Sequence, residues 1–199
     1  MSQVSIVNQA FALLGQDAII SLDDDTNAAK VAKRMYEPVR DALLEMHNWK
    51  FATKWISLPR SPTQSLSEYA NIFPIPSNVL RIIWVGSSGD LSSVIEYDID
   101  STGIITNSQT CVIEAVIQVT DTTKYSPLFE QAFAARLAAD MAVAITASAS
   151  LSGQMYQVFN AKFREAVQRD SIQGTSKKIT SNWIQAGRGG RGKIIGGTV

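Results

Sequence analysis

The stretch from Ala132 to Ala149 constrains this chain most, because it is nearly all apolar and Arg136 and Asp140 are its charged members. Alanine is the strongest helix former and adds little bulk. Ala132, Ala134, Ala135, Ala138, Ala139 and Ala142 would therefore let neighbouring helices approach on more than one side. With its two charges the run falls short of the ~20 apolar residues that span a bilayer. A helix buried in a bundle is the expectation. Phe129, Phe133, Leu137, Met141, Ala144 and Ile145 mark its apolar face, and Ser126-Pro127 opens it with an N-cap and a proline at the first helical position.

A buried helix needs partners, and both ends of the chain supply them. Val4, Val7, Ala10, Phe11 and Leu14 recur at helical spacing before Gly15, which suits a left-handed cap. Asp23 to Asn27 offer N-cap candidates for a second helix, whose face carries Ala28, Val31, Ala32, Met35, Val39, Leu43 and Met46. Pro38 predicts a kink or break near Tyr36-Glu37, since proline lacks the amide hydrogen and crowds the preceding turn. Ser152-Gly153 predicts a break before a last helix with Met155, Val158, Phe159, Ala166 and Val167, ending near Asp170. Neither end can bury its apolar faces alone, so Val31, Met35, Leu43, Phe129, Phe133, Leu137, Met141, Val158 and Phe159 are expected to share one core.

Between these ends the pattern changes to short β-branched runs at 79–85, 93–97, 103–106 and 111–119, separated by turns at 86–90, 98–102 and 107–109. Phe73-Pro74-Ile75-Pro76 cannot be a central strand, because two prolines remove ladder donors. The fold class expected is α+β, mainly α. A helical bundle from residues 1–52 and 124–172 brackets an inserted antiparallel β region at 53–123, and an extended basic arm follows at 173–199.

Eighteen basic and eighteen acidic side chains leave the 199-residue chain formally neutral, but the charge is unevenly placed. Residues 171–199 hold Lys177, Lys178, Arg188, Arg191 and Lys193 and no acid, so the remainder carries −5. One cysteine excludes an internal disulfide, and one cysteine with one histidine cannot make a Cys/His zinc site. The first residues lack the charged and apolar regions of a signal peptide, so export is not expected.

Candidate chemistry is sparse. His47 has no nucleophile elbow nearby and reads as a surface or capping residue, while Cys111 reads as a buried small hydrophobe. Asp23, Asp24 and Asp25 lack the spacing of a calcium loop and suit a helix N-terminus. Glu96, Asp98, Asp100 and Glu114 include no evident catalytic pair, and Gly86-Ser87-Ser88-Gly89-Asp90 lacks the lysine of a phosphate-binding loop. No cofactor or metal is expected. Arg188-Gly189-Gly190-Arg191-Gly192 is compatible with flexible charge contact to nucleic acid or to an acidic protein surface.

The linear succession is more specific than any one motif. Leu13-Leu14-Gly15-Gln16, Asn27-Ala28-Ala29, Tyr36 to Leu44, and His47-Asn48-Trp49-Lys50-Phe51-Ala52 come in order. Tyr69 to Val85, Thr120-Asp121, Tyr125 to Ala132 and Leu137-Ala138-Ala139 follow. Over roughly residues 4–170 this succession resembles the phage tail tubular protein A family, the head–tail adaptors of short-tailed phages.

The resemblance implies a structural virion protein without catalysis, assembled in the bacterial cytoplasm and resident in the virion neck. It would form a ring, usually a dodecamer, between portal protein and tail nozzle, with DNA passing through the lumen and no membrane involved. Side-to-side contacts would draw on the alanine-rich helix and on Trp49, Trp55 and Trp84, expected to be exposed. Lys177, Lys178, Trp183, Arg188, Arg191 and Lys193 are the expected portal- or subunit-binding residues, on an arm that takes shape only against its partner. The alternative is a nucleic-acid-binding accessory of DNA packaging that acts through the same arm.

Overall fold

A computed structural model describes residues 2–173, apart from 64 and 66. The helices are α1 (Gln3–Leu14), α2 (Asn27–Glu45), α3 (Pro127–Thr146) and α4 (Ala149–Ile172). Between α2 and α3 run β1 (Thr53–Leu58), β2 (Asn71–Phe73), β3 (Val79–Gly86), β4 (Asp98–Asp100), β5 (Gly103–Thr106) and β6 (Cys111–Ile117).

α3 is the centre of the helical body. Ser126 caps it by accepting from the Phe129 amide, and α1, α2 and α4 all pack on it. Its alanines 132, 134, 135, 138, 139 and 142 are buried together with Phe129, Phe133, Leu137 and Met141. The core joins α1 (Ile6, Val7, Ala10, Phe11), α2 (Ala29, Ala32, Leu43, Leu44) and α4 (Phe159, Ala166), while Val31, Met35 and Val158 pack partly buried against it. Residues from opposite ends of the chain therefore complete one another.

Several expected boundaries hold and others move. Gly15, at φ 67°, ends α1 in the left-handed conformation, and its amide and that of Gln16 return to Ala12 and Phe11. Of the expected kink or break near Tyr36-Glu37 the break does not occur, since α2 runs through Pro38 as one helix. Tyr36, Val39 and Arg40 are buried on both sides of the proline, so tertiary packing holds the turn that has lost a hydrogen bond. The break between α3 and α4 falls at Ala147, which takes φ 54°, and not at Ser152-Gly153. Ser148 caps α4 by accepting from the Leu151 amide, and this local bond decides where the helix starts.

The strands form two three-stranded antiparallel sheets, ordered β1-β6-β3 and β2-β5-β4. β2, followed by Pro74, is an edge strand as the prolines require. Segment 93–97 is not a strand; Val94 makes one isolated bridge to Gly86, and pairing resumes at β4, inside the expected turn. A second core lies in this region, formed by Leu58, Phe73, Val85, Ile104, Cys111, Ile113 and Ala115. Where the chain leaves and rejoins the helical body, the Ile117 amide donates to the Ala52 carbonyl at 2.8 Å.

Candidate functional site

Lys177, Lys178, Trp183, Arg188, Arg191 and Lys193 lie outside the described residues. The structure does show where the preceding helix is anchored. Asp170, near the C-terminus of α4 and 5% exposed, accepts from the Lys50 backbone amide at 3.2 Å and meets His47 Nε2 at 3.1 Å. His47 is thus neither a free surface residue nor a cap; it stitches α4 to the corner after α2. The ring of Trp49 stands edge-on to His47 with centroids 4.8 Å apart.

Trp49 corrects a second expectation, since it is fully buried. Its Nε1 donates to the Leu43 carbonyl at 3.0 Å, and its ring meets Phe129 at 4.9 Å and Phe163 at 5.9 Å. Indole is large enough to fill the junction of α2, α3 and α4, and the neighbouring carbonyl satisfies its one donor. It is unavailable for contact with a neighbouring subunit.

A buried polar seam, unremarked in the sequence, joins the helical body to the end of the β region. Arg40 is 2% exposed and forks onto Asp41 at 2.8 and 3.2 Å. Gln118, just past β6, donates to the same carboxylate at 2.7 Å. Burial works against the charge of Arg40, but the hydrogen bond and charge of Asp41 outweigh it. Beside it Tyr125 donates to the Val119 carbonyl at 2.6 Å, and burial above all pushes its hydroxyl up to about 12. Burial likewise raises Tyr36, whose hydroxyl finds no partner among the described residues. Arginine is rarely buried, so the sequence signal was available only in retrospect: the adjacent carboxylate of Asp41 makes its burial tolerable.

The remaining candidates are occupied with local structure. Cys111 is buried in the second core, and desolvation pushes its thiol up to about 11, which keeps it neutral. The three aspartates do separate work: Asp23 pairs with Lys33 at 2.6 Å, Asp25 with Lys30, and Asp24 accepts from the Ile20 amide at 2.9 Å. Thr26 is the cap of α2. In the 86–90 loop the amides of Ser87 and Ser88 are bonded to Ser93, leaving no cradle. Asp100 holds its own turn through Thr102 and Gly103, and those bonds lower its pKa. Glu114 lies on the other sheet from Asp98 and Asp100, so the carboxylates do not converge. Among the described residues no three His, Cys, Asp or Glu side chains are placed to hold a metal. No described helix is long and apolar enough to cross a membrane.

One arrangement on the β region has the form of a recognition surface. Trp55 on β1 and Trp84 on β3 both lie opposite Glu114 of the central strand β6, and all three are half-buried. The two indole centroids are 5.1 Å apart at 53°. Alternation sends Leu58, Ile113 and Cys111 inward and this row outward; nearer the helices the same face carries Val116, which joins the bundle core. The ring of Trp84 lies over Gly86, where a Cβ would fall inside the indole. Glycine is therefore required to seat it. No protein-family model matches the chain, and no curated protein matches it.

Proposed function

We propose that this chain is a head-to-tail adaptor subunit similar to tail tubular protein A. In the virion neck it would form a ring between portal protein and tail nozzle through which the genome passes. The observation that carries the reading is the joint core: helices from both ends of the chain pack around α3, with two small sheets inserted between α2 and α3. That order of elements agrees with what the succession of sequence blocks implies for the family. The finer reading is a helical bundle with an inserted β domain and an extended C-terminal arm. The arm's Lys177, Lys178, Trp183, Arg188, Arg191 and Lys193 engage the portal or a neighbouring subunit.

The deciding experiment is negative-stain imaging of the purified protein mixed with its portal. A ring of added density on one end of the portal is the expected result; portals that stay bare exclude the reading. A nucleic-acid accessory role rests on the five basic residues of the arm. It predicts binding to duplex DNA that weakens steeply with salt, because each neutralised phosphate releases counterions. Salt-titrated DNA binding with bare portals would favour that second reading.

A further inference from the structure

The Trp55–Glu114–Trp84 row combines two aromatic faces with one carboxylate. The Glu114 carboxylate, unlike its backbone, takes part in no hydrogen bond or ion pair among the described residues. Arg81, on the same side of the sheet and nearer the helices, donates instead to Asn48 Oδ1. What fits such a row is a planar, weakly hydrated cation. A guanidinium stacks on indole within ~6 Å of the ring centroid and pairs with a carboxylate through two parallel hydrogen bonds.

We propose that this row is the docking site of the Arg188-Gly189-Gly190-Arg191 segment of the same chain, with one guanidinium seated against Trp55 and Trp84 and paired to Glu114. Charge favours it, since residues 171–199 carry +5 and the rest of the chain −5. The starting point favours it too. Asp170 is bonded to the amide of Lys50, and Lys50 stands five residues before Trp55. Five residues span at most about 18 Å, whereas the fifteen from Gln173 to Arg188 can reach about 50 Å. The segment is thus tethered near its site, and a tether of this kind gives an effective concentration in the millimolar range. Glycines at 189, 190 and 192 remove the side chains that would hold the backbone away from the sheet. The inference goes beyond the adaptor reading and does not depend on it: it gives the arm a resting place on its own subunit, whatever the arm later meets.

The test uses the full chain grown with 5-fluorotryptophan, whose four tryptophans give separate fluorine resonances assigned by single Trp→Phe replacements. Replacing Arg188→Ala together with Arg191→Ala should move the Trp55 and Trp84 signals and leave that of buried Trp49 in place. Made in a Glu114→Gln background, the same two replacements should produce no further shift. Lys177→Ala with Lys193→Ala, which removes the same charge, should move neither signal. Resonances of Trp55 and Trp84 that ignore the arginine replacements overturn the proposal, as does an equal response to the lysine replacements. Shifts that vanish on about a hundredfold dilution overturn it in favour of a second copy's arm, because a tethered contact is independent of concentration. The Trp49 signal reports folding in every sample.

Discussion

The helical core draws on Phe11, Trp49, Phe129, Phe133 and Phe159, all buried, whereas the core of the β region has Phe73 as its one buried aromatic among the described residues. A fully buried large side chain contributes about 1.5–3 kcal/mol. The difference in material is therefore a difference in local stability. The β region also depends on short strands, three residues in β2 and in β4, and on the all-exposed segment 98–100 at one edge. Local opening should begin there, and hydrogen exchange should be slowest in α3.

The strongest blow to that contrast is Phe133→Ala. It removes a ring at the meeting of α3 with Tyr36, 5.0 Å away between centroids, and should cost about 3–5 kcal/mol in urea unfolding. An unchanged midpoint would mean that the helices do not carry the global stability.

Alkali should strike both regions but in sequence. Each group has a raised pKa in the folded state, so its contribution is intact below the ordinary pKa and is lost as pH rises toward the folded value. For Cys111 that interval runs from 9.0 to about 11, and for Tyr125 from 10.0 to about 12. The Tyr125 loss is on the order of 2–3 kcal/mol. A pH series read by hydrogen exchange should show β6 loosening about one pH unit before the helices, and simultaneous loss would remove the distinction.

Asp170→Asn tests the stitch between α4 and the corner after α2, inside the helical body. Removing a buried charge that accepts a backbone amide and faces His47 should cost about 2 kcal/mol. Exchange should quicken at Lys50 and the end of α4 while β5 stays unaffected. The smallest effect belongs to Ile104→Val in the second core, about 1 kcal/mol, with faster exchange confined to the β region. Faster exchange across α3 in that variant would show the two cores to be one cooperative unit.

The elements most legible in the sequence were those set by local chemistry: Gly15 as a left-handed cap, Ser126-Pro127 as a helix start, and the alanines of α3 as a surface for several neighbours. What escaped was decided by contacts between distant residues. Pro38 persists inside α2 because burial on both sides outweighs a missing bond. Trp49 and His47 owe their positions to Phe129 and Asp170, 80 and 123 residues away along the chain. The Trp55–Glu114–Trp84 row needed the strand register, since nothing in one dimension places residues 55, 84 and 114 side by side.

The hydrogen bond from Ile117 to Ala52 has a consequence for inheritance. Because the polypeptide departs from the helices and returns to them at adjacent points, residues 53–116 form a cassette whose two ends match any hairpin of suitable width. Recombination can lengthen, replace or shorten that cassette while the helices keep their packing. Selection can then alter what the protein touches through the sheets at a rate uncoupled from the slow drift that a tightly filled interior allows.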